Sequence, residues 1–340
     1  MSIWTSEINL KRYNTFGVEA KAASIARLHT PEDVLTLLEH IWLTGRHCVF
    51  LGGGSNVLFV RDWPGIVALN KISGIEIIEE SEEYVWVKTG SGHNWHDLVM
   101  WSVERGLGGL ENLALIPGSV GAGPMQNIGA YGREIKDTFW ELEAVDVNTG
   151  KVKIFNLEDC AFGYRTSYFK SRGKGLWFIQ SVTLRLFKKP VLVLDYGNVR
   201  EEVARLSASP TPADVANAVM HIRRSKLPDP ALLGNAGSFF KNPELPEKKI
   251  HALRENYPEM PVYPSAQPGY LKVAAGWLIE KCGLKGFRRG ACGVHAHQAL
   301  VLVNYGGATG TEILDLARHI QEVVHRTFDI MLEPEVNIIS

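Results

Sequence analysis

The sequence predicts an α+β fold, with hairpins as well as crossover connections. Three observations carry this. Apolar residues recur at helical spacing behind clear N-terminal caps, other runs alternate with the two-residue period of a half-buried strand, and one such stretch turns on itself around Asn148-Thr149-Gly150.

In chain order, Thr30-Pro31-Glu32-Asp33 supplies a cap, a proline at the first helical position and acids in the first turn. Val34, Leu37, Leu38 and Ile41 then form one apolar face. Cys48-Val49-Phe50-Leu51 is a short apolar strand ending at glycines. Tyr84, Trp86 and Lys88 alternate with Val85 and Val87. A helix is predicted over residues 94–105, stopped by Gly106. Residues 141–156 read as the hairpin and residues 176–187 as a further strand. Thr211-Pro212-Ala213-Asp214 repeats the capping device ahead of Val215, Ala218, Val219 and Ile222. Residues 270–282 are predicted helical, with Gly283 as the left-handed end. Residues 300–304 should form a strand, and residues 311–328 a helix carrying Ile313, Leu316, Ile320, Val323 and Val324.

A chain of 340 residues, 45% of them apolar, can build two or three domains with real cores. With 36 basic against 37 acidic residues there is no electrostatic case for binding nucleic acid. No run of apolar residues is long enough to cross a membrane. The first residues, Met1 to Glu7, lack the basic-then-apolar plan of a secretory signal, so a cytoplasmic location is expected. Cys48, Cys160, Cys282 and Cys292 form no Cys-x-x-Cys pair, which fits free thiols in a reducing compartment. Cys282, Cys292, His295 and His297 do not follow a familiar zinc-site spacing, and His295 and His297 alternate as in a strand; no metal is expected. No obligate protein partner is evident.

Two glycine-rich loops bear on cofactor chemistry. Gly52-Gly53-Gly54-Ser55-Asn56-Val57 lacks the third glycine of the Rossmann fingerprint, and Gly118-Ser119-Val120-Gly121-Ala122-Gly123 has its glycines in the wrong order. Successive backbone N–H groups in Gly52-Gly53-Gly54-Ser55-Asn56 and in Pro117-Gly118-Ser119-Val120-Gly121 can instead cradle a pyrophosphate, with Ser and Asn as added donors. Either loop alone would read as a tight turn. The string Gly234-Asn235-Ala236-Gly237-Ser238-Phe239-Phe240-Lys241-Asn242-Pro243 sets one hydroxyl between small residues and two bulky aromatics.

That string resembles a signature of the UDP-N-acetylenolpyruvoylglucosamine reductase family. Four other segments agree in order: Asn14-Thr15-Phe16-Gly17; Leu51-Gly52-Gly53-Gly54-Ser55-Asn56-Val57-Leu58; residues 116–132, from Ile116-Pro117-Gly118 to Ala130-Tyr131-Gly132; and Leu332-Glu333-Pro334-Glu335-Val336. The resemblance implies the two-subdomain FAD-binding fold of the UDP-N-acetylmuramate dehydrogenase, PCMH-type flavoprotein class, with a smaller α+β substrate-binding domain. It implies FAD-binding parts at residues 1–72 with 326–340 and at 73–223, and a substrate domain at 224–325. Noncovalent FAD, NADPH as co-substrate and UDP-N-acetylglucosamine-enolpyruvate as substrate are expected with it.

The resemblance also assigns roles. Gly52, Gly53, Gly54, Ser55, Asn56, Pro117, Gly118, Ser119 and Gly121 would hold the pyrophosphate and isoalloxazine, and Gln126, Asn127, Gly129 and Ala130 would lie near the flavin. Ser238 would be the proton donor, helped by Lys241 or an ordered water. Arg165 would clamp the substrate carboxylate with its planar fork. Glu335, the second glutamate of its motif, would bond the developing enolic oxygen in its protonated form, its pKa raised by burial among Leu332 and Val336. Tyr164, Tyr196, Lys226, Asn242 and Gln298 would contact substrate, Tyr196 from the closing loop of type I members. Asn337 departs from the Arg or Lys that the family often has two residues after the glutamate. Two rivals remain at this point. One is a flavin oxidase of the same cofactor fold, often with covalent flavin; the two loops contain no His or Cys, though His93 and Cys160 lie near in sequence. The other is a nucleotide-sugar-binding protein without activity, which intact Ser238, Arg165 and Glu335 argue against.

Overall fold

Thr30 accepts a hydrogen bond from the Asp33 N–H while the Asp33 carboxylate accepts from the Thr30 N–H, a reciprocal cap that starts the helix Pro31–Thr44. Gly45 closes it at φ +66°. The computed structural model describes residues 3–340; Met1 and Ser2, part of the stretch read above for a leader, lie outside the described residues. The chain divides into two units. One comprises residues 1–8, 22–53 and 64–225, the other residues 9–21, 54–63 and 226–340.

The first unit holds two sheets. Trp4–Asn9, Lys21–Leu28, Trp63–Asn70 and Cys48–Leu51 form one, in that order. Its inner face packs on Val34, Leu37 and Leu38 of the helix Pro31–Thr44. The second sheet runs Val152–Asn156, Phe139–Asp146, Trp177–Phe187, Tyr84–Gly90, Ile75–Glu80, every neighbour antiparallel. Its hairpin turns at residues 147–150, where the Gly150 N–H donates to the Asp146 carbonyl at 2.8 Å. Trp177–Phe187 is the central strand, and alternate residues Val182, Leu184 and Leu186 are buried. They join a core built with Leu98 and Val99 of the helix Trp95–Glu104 and Val215 and Val219 of the helix Pro212–Lys226.

In the second unit Gly234–Ser238, Val301–Asn304, Cys292–Val294 and Arg288–Arg289 make a four-stranded antiparallel sheet. The long helix Gly310–Phe328 covers it with Ile313, Leu316, Ile320 and Val324. Val57–Phe59 pairs in parallel with Asn337–Ile339.

Two expectations need correction. Residues 270–282 are not one helix. Tyr270–Val273 is the middle strand of a three-stranded sheet with Glu244–Pro246 and Val262–Pro264, and only Ala275–Lys281 is helical. Backbone pairing to two neighbours outweighs a helical apolar spacing there. His295 and His297 follow the strand Cys292–Val294 rather than lying in it.

Candidate active site

In the first unit the two glycine loops abut. A Cβ added at Gly53 would lie 2.8 Å from the Gly118 Cα, and one at Gly52 would overlap the Ser119 hydroxyl. Glycine is therefore required by the close approach of one loop to the other. Gly118 itself sits at φ +123°. Its carbonyl accepts from the Trp95 N–H at 3.0 Å, and the Val120 N–H donates to the His93 carbonyl at 2.9 Å, which fixes the second loop to the start of the helix Trp95–Glu104. Gly121 packs on Ser91 and donates to its carbonyl at 2.8 Å. The N–H groups of Gly53, Gly118 and Ser119 have no acceptor among the described residues. Free donors at the meeting point of two loops are what an anionic pyrophosphate needs.

The amide-bearing stretch is held by its own neighbours. Gln126 Oε1 accepts from Lys170 Nζ at 2.9 Å. Asn127 is fully buried, donates from Nδ2 to Glu134 Oε2 and to the Gly163 carbonyl, and accepts at Oδ1 from the Lys136 N–H. Its amide thus shapes the loop. Arg165 occupies the third position of a tight turn in which Gly163 and Thr166 exchange backbone hydrogen bonds of 3.1 and 3.3 Å. Its Nη2 donates to the Gly129 carbonyl at 2.6 Å, and its guanidinium lies 5.5 Å from the Tyr164 ring centroid. Arg165 has φ +51°, and Asn127 and Tyr131 have φ +49° each. Left-handed backbone at non-glycine residues costs free energy and gathers at functional sites.

Arg223 lies on the helix Pro212–Lys226, three residues before Lys226, the cation expected to contact substrate. Lys226 is exposed. Arg223 is partly buried and forms no ion pair or hydrogen bond among the described residues. Burial draws its pKa down; the Tyr131 hydroxyl opposes this and the Arg165 guanidinium adds to it. Two cations and a tyrosine therefore share one field. No sequence signal marks it, because one cation among several on a helix looks like any snorkelling side chain. Tyr196, half exposed, meets the Tyr131 ring edge-on at 6.1 Å.

In the second unit Asn14-Thr15-Phe16-Gly17 acts as a hub. Buried Asn14 donates to the Leu10 and Val18 carbonyls and accepts from the Val18 N–H. The Thr15 N–H donates to the Gly54 carbonyl at 3.0 Å, and the Thr15 carbonyl accepts from the Asn235 N–H at 3.0 Å. The motif thus ties Gly54-Ser55-Asn56 to the strand Gly234–Ser238. Gly54, at φ +64°, leaves no room for a Cβ against the Tyr13 carbonyl.

Ser238, partly buried, ends that strand after Gly237 at φ +69°. The next residues run beside the segment carrying Glu335. The Glu335 N–H donates to the Phe239 carbonyl at 2.8 Å, the Lys241 N–H donates to the Glu333 carbonyl at 2.9 Å, and Phe240 bridges Pro334. Asn56 Nδ2 donates to the Glu335 carbonyl at 3.3 Å. Glu335 is partly buried between buried Leu332 and Val336. Lys241 Nζ lies 2.5 Å from Glu333 Oε1, so its charge is directed to that carboxylate. Asn242 Oδ1 accepts from the Ala275 N–H, and Gln298 Oε1 faces the Leu300 N–H at 3.5 Å. His295 and His297 rings lie 5.6 Å apart, and Cys292 turns its Sγ to the Arg289 and Glu312 carbonyls. Among the described residues no three His, Cys, Asp or Glu side chains converge as metal ligands, and no helix is long and apolar enough to cross a membrane.

Residues 22–156 match the family described as FAD binding domain, and residues 229–339 match the C-terminal domain of UDP-N-acetylenolpyruvoylglucosamine reductase. The enzyme of that name from Amoebophilus asiaticus is 48% identical over 334 residues, covering 98% of each chain. The one from Pseudomonas aeruginosa is 49% identical over 331 residues, covering 97% of each. This chain belongs to the UDP-N-acetylenolpyruvoylglucosamine reductase family. A solved UDP-N-acetylenolpyruvylglucosamine reductase from Thermus caldophilus superposes over 98% of both chains with a TM-score of 0.67 at 26% identity. The reductase family's α+β flavin-binding fold is therefore the fold of this chain, and the expected class stands.

Proposed function

We propose that this chain reduces the enolpyruvyl ether of UDP-N-acetylglucosamine-enolpyruvate to UDP-N-acetylmuramate for peptidoglycan precursor synthesis, with noncovalent FAD, NADPH as co-substrate, and a cytoplasmic location. One structural observation carries the reading beyond the family match: the residue after Ser238 is hydrogen-bonded to Glu335. That ladder sets an alcohol donor and a carboxyl on adjacent segments. The free N–H groups of Gly53, Gly118 and Ser119 support binding of the FAD pyrophosphate in the first unit. Gly52, Pro117 and Gly121 are proposed to complete that hold, with Gln126, Asn127, Gly129 and Ala130 at the ring, and Gly54, Ser55 and Asn56 are proposed as further cofactor-binding residues. With FAD bound there, the flavin would supply hydride-transfer chemistry between NADPH and the substrate double bond.

The protein's own groups supply the rest. Arg165 receives the substrate carboxylate, and its fixed charge stabilises the enolate-like transition state more than the ground state. Protonated Glu335 donates to the enolic oxygen. Ser238 gives its hydroxyl proton to the adjacent carbon. Because Lys241 is paired with Glu333, an ordered water is the better relay to Ser238. Tyr164, Tyr196, Lys226, Asn242 and Gln298 are assigned to the nucleotide and sugar, within a partition of residues 1–72 with 326–340, 73–223 and 224–325. A visible spectrum of purified protein tests the reading, followed by anaerobic bleaching with NADPH and reoxidation by the enolpyruvyl nucleotide. Colourless protein that cannot be reconstituted with FAD would refute it.

A further inference from the structure

Residues 188–198 join the strand Trp177–Phe187 to the helix Val199–Leu206 without regular structure, yet they carry Tyr196. Irregular backbone must find donors for its carbonyls. Two side chains provide them. Asn112 Nδ2 donates to the Val193 carbonyl at 2.8 Å and also to the Tyr131 carbonyl at 2.9 Å. Arg133 Nη2 donates to the Val191 carbonyl at 3.0 Å. Both hydrogens of one amide nitrogen thus join the Tyr131 turn to the irregular segment three residues before Tyr196.

Asn112 is fully buried, in the 3-10 turn Glu111–Leu113. Its Oδ1 is buried with no partner among the described residues. An apolar residue would avoid that desolvation cost, so the two donated bonds are what the position gains from asparagine. The same staple brings Tyr131, at φ +49°, edge-on to the Tyr196 ring. Gly132 allows the close approach, since a Cβ there would lie 3.0 Å from Val193 Cγ1.

We infer that Asn112 is a positioning residue: its amide holds residues 191–193 against the Tyr131 turn and so presets Tyr196 for the substrate. This rests on the proposed role of Tyr196. Pre-setting a loop removes part of the ordering cost of binding, so its loss should appear in substrate affinity.

Asn112→Asp keeps the shape and removes the amide hydrogens. Flavin content and the rate of bleaching by NADPH should stay at wild-type values. KM for the enolpyruvyl nucleotide should rise on the order of tenfold, as expected when hydrogen bonds of this kind are lost. Amides of residues 188–198 should exchange faster with deuterium in the ligand-free protein. In a Tyr196→Ala background the same substitution should cause no further rise in KM. Additive losses, or unchanged KM and exchange, would overturn the inference. Should Asn112→Asp fail to fold, Arg133→Met removes only the outer donor. It should shift KM and exchange in the same direction by a smaller factor, and no shift in either would equally overturn the inference. A wild-type protein inactive on the enolpyruvyl nucleotide would remove the proposed function instead, and the role of Tyr196 with it, while the exchange measurement would still report on the staple.

Discussion

The Glu335 N–H donates to the Phe239 carbonyl at 2.8 Å, so residues 96 positions apart in sequence are locked in one register. The ladder extends to Lys241 and Glu333. Ser238 and Glu335 therefore cannot drift independently, a restraint that their proposed roles as proton donor and carboxyl would need.

Ser238→Ala should separate the two half-reactions. Bleaching by NADPH needs no proton on substrate carbon and should proceed at a near-normal rate. Reoxidation by the enolpyruvyl nucleotide should slow by about 10²–10⁴-fold, the usual worth of general acid catalysis. Rapid-mixing absorbance measures each half. Equal slowing of both would make Ser238 a shaper of the flavin pocket, and an unchanged second half would move the proton to another group.

Arg165→Lys keeps the charge and loses the fork. One arm of the fork is already bound to the Gly129 carbonyl, so the geometry presented to substrate depends on that anchor. A lysine cannot hold the anchor and a carboxylate together. Turnover should fall by about 10²–10³-fold, as for other positioned charge-stabilising donors. Steady-state kinetics showing near-normal kcat would take Arg165 out of the site.

Asn14→Ala should lower stability rather than chemistry. Three hydrogen bonds of a buried amide are lost, at a cost of about 2–3 kcal/mol. Urea unfolding of the holoenzyme should show a lower midpoint. Turnover per flavin in the folded fraction should be unchanged; a selective loss of turnover would mean that the motif acts on the chemistry directly.

Glu111 gives a pH prediction. Its carboxyl is fully buried, and burial raises its pKa above the ordinary 4.5, against the opposing pull of its own backbone, the Gly109 N–H and Arg133. The folded protein therefore keeps a proton that the unfolded chain releases. The stability this contributes is fully present below pH 4.5 and is lost as pH rises through the folded-state pKa. Glu111→Gln is neutral at every pH and should flatten that decline. Unfolding midpoints measured from below pH 4.5 upward would show it, and parallel curves for the two proteins would refute it.

The capped helices were legible because their signals are local. Thr30 with Asp33 marks its own helix start, whatever packs on it. The hairpin at residues 147–150 was legible for the same reason. Tyr270–Val273 was not, because its strand character comes from partners distant in sequence at Glu244–Pro246. The glycine loops were recognisable, but not that Gly53 is required by Gly118. Asn112 and Arg223 carry no sequence signal: one is a lone amide in a short turn, the other one cation among several, and both gain meaning only from what the folded chain sets beside them.

The second unit is assembled from residues 9–21, 54–63 and 226–340. During synthesis Val57–Phe59 leaves the ribosome long before its parallel partner Asn337–Ile339 exists. Its edge must stay unpaired while more than half of the protein is being made, a period in which exposed strand edges invite wrong pairings. The first unit can mature in that interval, but the glutamate-bearing ladder closes only after residues 332–336 have emerged. Ribosome-bound intermediates should hence be protease-resistant in the early unit and still open around Asn56.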